Sequence, residues 1–431
     1  MVDCICSKKL SSNFEMTTKE KVLYGFILFF LVAIFFPRLQ ILNIIATAPL
    51  VIYSFSLSSF KEKWNAIKER KHLQVMLVFF LMILLSAVSS ENGKEALRFI
   101  DPRTPLLYFP LTIGVLPLDA KFRHKVLVSF AIITTAISFF CLGWNVYQAI
   151  VQNNTALLYN DSLTHVIGHQ SIYISLLVNI SIFIFAREIF FYRSKYKSLM
   201  VVAIIFLLGI SYLLASRTMM GLLFIITVIF IIYFITKRKK YLEGMVLFIA
   251  LIIGVFMVNK FIPQTFNRFK ELTYTRFDYK NQGAESHYNM EVTADQWNGA
   301  NFRLAAWACG WELFKENPFT GVGIGDKYDA LIKKYEEKDF QFAIQTKKNV
   351  HNNYLDILYS MGIIGFVVFL TAWVILPLIY ARQHRDYLAI LIIISFAVAW
   401  ITEIYFDRSF GGMLTGFFFS FLLTYKLKSD H

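Results

Sequence analysis

Cysteine is scarce in this chain. Only four occur in 431 residues: Cys4 and Cys6 near the start, Cys141 inside an apolar run, and Cys309 alone in the one long polar stretch. A disulfide framework in that stretch is excluded within one chain, and Cys4-Ile5-Cys6 has neither metal-site spacing nor a partner pair. Charge is scarce too. Asp, Glu, Lys and Arg make up 17% of residues, against about 25% in soluble domains. There is no low-complexity tract, no separate polar domain at either end and no evident twofold repeat. The missing repeat argues against the many transporters built from repeated halves. No Asp-x-Asp metal-binding motif is present in the long polar stretch.

What is present is apolar: 57% of residues are hydrophobic, 17% aromatic, and 44 are Phe. One soluble core of this size cannot hide so many rings, but a lipid-facing surface can hold them. Stretches of roughly 17–25 apolar residues read as membrane helices, and about twelve meet that criterion. They fall near 22–37, 40–60, 73–90, 104–118, 126–148, 170–186, 199–216, 219–236, 244–262, 354–380, 387–406 and 410–425. The fourth contains Pro105, Pro110 and Pro117 and is expected to be kinked or partly interfacial. The first is preceded by Lys8, Lys9, Lys19 and Lys21 and followed by no small-residue cleavage site, so it reads as an anchor and not a cleaved signal. Basic clusters recur at 61–71, 121–125, 187–197, 237–240, 382–385 and 426–428, in alternate connections. The positive-inside rule then puts both termini in the cytoplasm and residues 263–350 outside. The formal charge of +14 is dispersed over these short loops, which marks topology and excludes a nucleic-acid partner. The expected fold is an all-α polytopic membrane protein: helices 1–9 within 1–262, a large, partly helical outer loop over 263–350, and helices 10–12 within 351–431.

Within the loop, residues 263–300 are polar and aromatic without a clear period. Leu304, Trp307, Ala308 and Trp311 then recur at helical spacing, with Asn301 placed to cap and Asn317-Pro318 to end the helix. Its Trp-rich face suits a membrane–water interface. The glycine-rich turn Thr320–Gly325 lacks a preceding strand, so it does not read as a nucleotide loop. Asp326 is placed to cap a second helix that carries Tyr328, Leu331, Ile332 and Tyr335 on one face. The loop reads as a helical cap over a membrane-embedded cavity.

Several residues can carry chemistry. His351 opens the helix that re-enters the membrane, where a neutral imidazole suits a general base; a histidine satisfied by a loop carbonyl is the alternative. Arg217 lies in the tight Ala215-Ser216-Arg217-Thr218 connection on the outer side, where an interfacial arginine is costly and usually paired. A guanidinium there binds phosphate oxygens in bidentate fashion, unless it only snorkels at a helix end. Arg303, in the first turn of the loop helix, opposes the helix dipole and strengthens an anion site, or else is simply a surface residue. Glu403, Asp407 and Arg408 cluster at the outer end of the eleventh span, and Arg98, Asp101 and Arg103 form another outer polar group. His165 and His169 stand four apart before the sixth span, but with no acidic or cysteine ligand in register a metal site is not expected.

Taken together, these residues resemble the O-antigen ligases. His351-Asn352, nine residues, Gly362, two residues and Gly365 fit that family's histidine motif. Ser216-Arg217-Thr218 resembles its arginine turn, and Asn301–Trp307 leading to Asn317-Pro318-Phe319 resembles its periplasmic-loop helix. The resemblance implies a lipopolysaccharide-biosynthesis enzyme of the bacterial inner membrane. It would move a polysaccharide from undecaprenyl diphosphate to the lipid A-core oligosaccharide on the periplasmic face, with inversion and without a metal or cofactor. The implied catalytic residues are His351, Arg217 and Arg303. Substrate contacts would come from both arginines, Asn352, His169, Glu403, Asp407 and Arg408. The implied partners are the donor, the acceptor and membrane lipids around a monomer. Related activities stay open: O-antigen polymerase, protein O-oligosaccharyltransferase and, from another class, a polysaccharide transporter or flippase.

Overall fold

Alternating apolar runs and polar turns fold as packed helices, and among the described residues there is no β-strand. The computed structural model describes residues 16–192, 195–237, 269–281, 283 and 296–425, with isolated positions between 239 and 260. Most of the ninth expected span and of residues 263–295, with Cys4, Cys6 and the tail lysines, lie outside the described residues.

The helices that matter here are α1 (Thr18–Ala33), α2 (Gln40–Ser56), α3 (Phe60–Glu69), α4 (Lys71–Val88), α5 (Gly93–Ile100), α6 (Pro105–Thr112), α7 (Ala120–Val151), α8 (Ser171–Phe191), α9 (Lys197–Leu214) and α10 (Arg217–Thr236). The loop contributes α11 (Asn301–Glu316) and α12 (Lys327–Glu337). The chain ends with α13 (Asn353–Leu370), α14 (Leu376–Gln383), α15 (Tyr387–Ala399) and α16 (Ser409–Leu422). Among the described residues, six helices are long and apolar enough to cross a membrane: α4, α7, α8, α9, α10 and the α13–α14 stretch Asn353–Gln383. A seventh span results if α2 and α3, bent by 93°, are counted as one. The chain therefore has the character of a polytopic membrane protein.

Two expected spans fold differently. The fourth is an eight-residue helix, α6, because Pro105 starts it and Pro110 lies within it. The eleventh stops at Ala399, and residues 400–408 run as an irregular linker whose Trp400, Ile404, Tyr405 and Phe406 are fully buried. Irregular backbone of this kind is tolerated beside lipid only when protein surrounds it.

The polar connections gather at one end of the bundle. Glu91 and Asn92 N–H groups donate to Asp326, Arg217 pairs with Glu271, and Arg103 pairs with Asp407. This is the loop end. The opposite end has its own ties: Arg70 donates to the Tyr425 carbonyl at 2.9 Å, and Arg123 to the Leu422 carbonyl at 2.7 Å.

The loop packs on the bundle through its own core, in which Trp297, Phe302, Ala305, Ala306, Cys309, Leu313, Leu331 and Tyr335 meet Val350 and Leu355. The inward face of α11 is thus Phe302–Ala305–Ala306–Cys309. Leu304 and Trp311, on the face read as suited to a membrane–water interface, point away from that core, 38% and 49% exposed. The expected caps also change hands. Asn298, not Asn301, accepts the Ala300 and Asn301 N–H groups, and Asp326 is spent on the α4–α5 turn instead of on α12. Burial pushes the free Cys309 thiol up to about 11, so it is a packing residue.

The glycine-rich turn docks on a break in α13. Gly362 has φ 65° and ψ −172°, a conformation closed to side chains. The groups released there are satisfied by the loop: Ile363 N–H donates to the Pro318 carbonyl at 2.8 Å. Val322 and Gly323 donate to the Tyr359 and Ser360 carbonyls at 2.9 and 3.0 Å. Gly321, at φ 73°, sits against the Ser360 backbone. The loop is therefore hydrogen-bonded into the helix that His351 precedes.

Candidate functional site

His351 stands just before α13 in a left-handed conformation, φ 46°, which costs a non-glycine residue about 1–3 kcal/mol. Its neighbours fix it there. Asn349 Oδ1 accepts the His351 N–H at 3.0 Å, the Trp307 indole donates to the Val350 carbonyl at 2.8 Å, and Asn353 N–H donates to the Trp400 carbonyl at 2.8 Å. Asn352 is the helix cap, its Oδ1 accepting from Tyr354 and Leu355 N–H groups. The strain is thus held by hydrogen bonds to three separate segments.

The imidazole faces Glu403. Nδ1 lies 3.0 Å from Glu403 Oε2, with the two side chains 23% and 5% exposed. A carboxylate accepts, so Nδ1 carries the proton of this bond. The Phe302 ring stands edge-on to the imidazole at 6.0 Å. Burial alone would raise the Glu403 carboxyl. The hydrogen bond and charge of His351, with Arg408 and Arg303 nearby, outweigh burial and hold it below the ordinary carboxylate value. Its second oxygen, Oε1, is buried without a hydrogen-bond partner among the described residues.

Arg303 joins this pair to a second centre. Its Nη2 donates to the carbonyl of Thr402, the residue before Glu403, at 3.3 Å, and its Nη1 to the Gly299 carbonyl at 2.6 Å. Arg217 opens α10, where Ala215 turns left-handed (φ 51°) so that two helices meet at Ser216. Its Nη1 pairs with Glu271 at 2.9 Å, and Glu271 is 1% exposed. The two guanidiniums converge on Gly299. A Cβ added there would stand 2.7 Å from Arg217 Nη2 and 3.1 Å from Arg303 Nη1, with Glu271 Oε2 at 3.6 Å. Glycine is thus what lets these cations approach one backbone point.

The other expected residues are placed differently. Asp407 does not pair with Arg408. Its oxygens meet Lys327 Nζ at 2.7 and 2.9 Å and Arg103 Nη2 at 2.5 Å. Asp356 Oδ2 accepts from the same Lys327 at 2.7 Å. Arg408 is exposed and acts on Glu403 through charge alone. His169 packs against the Phe410 ring at 4.1 Å, with Nε2 3.0 Å from the Ile34 carbonyl; burial lowers it to about 4. His165 contacts Arg38 at 3.1 Å, so the two histidines do not face each other. Among the described residues, no three His, Cys, Asp or Glu side chains gather as a metal-ligand group.

The structure therefore brings His351, Glu403, Arg303 and Arg217 into one chain of contacts and leaves His169 in the packed interior. Sequence reasoning missed Glu271, Gly299 and Lys327. Glu271 and Gly299 lie in a stretch without periodicity, and Lys327 gave no sign of burial beyond its place in a helix's first turn.

No curated protein matches the chain significantly. Arg217, Arg303, His351 and Gly362 all lie within residues 201–370, and that segment matches the family model described as O-antigen ligase, a match consistent with an O-antigen ligase-like protein.

Proposed function

We propose that this protein is an O-antigen ligase of the bacterial inner membrane. It would transfer a polysaccharide from undecaprenyl diphosphate to the lipid A-core oligosaccharide at the periplasmic face. Family members are glycosyltransferase-like membrane enzymes, ligases or polymerases, that act on lipid-linked glycans. In this reading about twelve spans cross the membrane, both termini are cytoplasmic, and residues 263–350 form the periplasmic cap.

The observation that carries the reading is the shared backbone of the two centres. Arg303 binds both Gly299, where Arg217 converges, and Thr402, next to the carboxylate that holds His351. Cation and base are thus adjacent, as glycosyl transfer from a diphosphate needs. Arg217 and Arg303 hold the diphosphate oxygens and take up charge as the bond from the anomeric carbon to the phosphate oxygen breaks. The acceptor hydroxyl attacks that carbon from the opposite side, with inversion. His351 Nε2 receives the hydroxyl proton, and Glu403 fixes the tautomer and balances the imidazolium. The undecaprenyl diphosphate leaves as the anion. Asn352 contributes through the backbone it caps, and Arg408 adds positive potential at the rim. The cap excludes water, the competing nucleophile.

The test is reconstitution of purified protein with carrier-linked glycan and lipid A-core, without divalent ions. His351→Ala, Arg217→Ala and Arg303→Ala should each abolish transfer while the protein stays folded. Full transfer by His351→Ala would remove the base assignment, and a requirement for added Mg²⁺ would remove the arginine account. Chain growth with carrier-linked units alone would make the protein a polymerase instead.

A further inference from the structure

Lys327, on the cap helix α12, ties together the two segments carrying the His351–Glu403 pair. Asp356 lies five positions after His351 on α13, and Asp407 lies four positions after Glu403 in the linker. Lys327 Nζ donates to both, at 2.7–2.8 Å to the Asp356 oxygens and 2.7–2.9 Å to those of Asp407. Lys327 and Asp356 are 2% and 1% exposed, and Asp407 is 13% exposed. Arg103 completes the cluster, with Nη2 at 2.5 Å from Asp407 and 3.7 Å from Asp356. Two cations thus balance two carboxylates, and the Tyr359 hydroxyl donates to Asp356 at 3.2 Å. Without Lys327, Arg103 alone would stand against two buried carboxylates at the seam between α13 and the linker. Asn353 stitches the same seam, donating to Trp400 and accepting from Phe406 N–H at 3.2 Å.

We propose that Lys327 is a positioning residue for transfer. From α12 of the cap it clamps the linker to α13, and so sets the Glu403–His351 hydrogen bond. Cap docking and completion of the catalytic pair are then one event. This inference rests on the functional reading above for its kinetic consequence, but its structural consequence stands apart from it.

The experiment compares Lys327→Arg, Lys327→Met and the double variant Lys327→Met/Asp407→Asn, all full-length and in nanodiscs. The double variant removes the clamp but leaves Arg103 and Asp356 to balance each other, so it keeps the fold testable if the single Met variant fails to assemble. The first readout needs no substrate: ¹⁵N-histidine NMR of the His351 ring, with its signal identified by loss in His351→Gln. Wild type and Lys327→Arg should show a proton fixed on Nδ1, whereas the double variant should lose that bias. The second readout is transfer. The double variant should lose kcat by roughly 30-fold or more with donor KM within about threefold, and Lys327→Arg should recover most of it. A folded double variant with the wild-type His351 signature overturns the clamp. So does one whose loss lies in KM. If wild type transfers neither to lipid A-core nor between carriers, the functional reading fails and the NMR signature still decides the clamp.

Discussion

Glu403→Gln isolates the contribution of one negative charge at an otherwise unchanged hydrogen bond. The carboxylate lies 3.0 Å from His351 Nδ1 and is nearly inaccessible, so the glutamine fits in the same space. A neutral hydrogen bond is worth about 0.5–1.5 kcal/mol and a charged one about 1.5–3. The difference sets a floor of about 1 kcal/mol on lost imidazolium stabilisation. Two unit charges at this separation interact by about 5 kcal/mol at an effective dielectric near 20, which sets a ceiling. His351 is about one-quarter exposed, and solvent screening keeps the value well below that ceiling. The expected loss in kcat is roughly 30- to 300-fold, at about 1.4 kcal/mol per tenfold, with donor KM unchanged because Glu403 does not contact the diphosphate. The assay is steady-state transfer to lipid A-core in nanodiscs across a donor titration. A variant with kcat within threefold of wild type, or one impaired only in KM, refutes the assigned role. The same variant tests the linkage. The Glu403 carboxyl is held below its unfolded value, so its ionised form adds stability above about pH 4.3 that is lost as pH falls through the folded value. Thermal unfolding from pH 7 to pH 3.5 should therefore show a smaller acid loss in Glu403→Gln than in wild type.

Other perturbations follow from the same geometry. Arg217→Lys and Arg303→Lys keep charge but lose the bidentate fork; kcat/KM should fall at least about 100-fold, roughly 2.7 kcal/mol, read by transfer from the diphosphate carrier. Gly299→Ala places a methyl between the two guanidiniums. Since both are ends of flexible side chains, the fold should hold while donor KM rises about tenfold, measured by donor titration beside a melting curve. Gly362→Ala meets the Phe319 backbone at a positive φ and should destabilise the protein by at least about 2 kcal/mol, seen as a lower melting temperature and earlier proteolysis between the cap and α13.

Hydrophobic run length and loop charge determined the class: an all-helical membrane protein with a large polar segment before its last helices. His351 and Arg217 could be singled out because each is a costly residue at a span boundary, and Arg303 because a cation in a helix's first turn opposes the dipole; cost of this kind is local information. Gly362 was legible as part of a spacing, but not as the place where the loop inserts its own hydrogen bonds. Pro105 and Pro110 signalled trouble in the fourth span because proline acts on its own backbone. The end of α15 at Ala399 had no such signal; residues 400–406 are apolar enough to continue a helix, and only packing against α13 shows why they do not.

The partnerships were settled by folding alone. His351 meets Glu403, 52 positions away, Arg217 meets Glu271 inside an aperiodic stretch, and Asp407 takes Lys327 and Arg103 in place of its neighbour Arg408. A charge in a chain of this kind must find a counter-charge when it is buried, and the sequence states that need. Which partner meets it depends on distances of a few ångströms between segments far apart along the chain, which exist only once the cap has docked on the bundle.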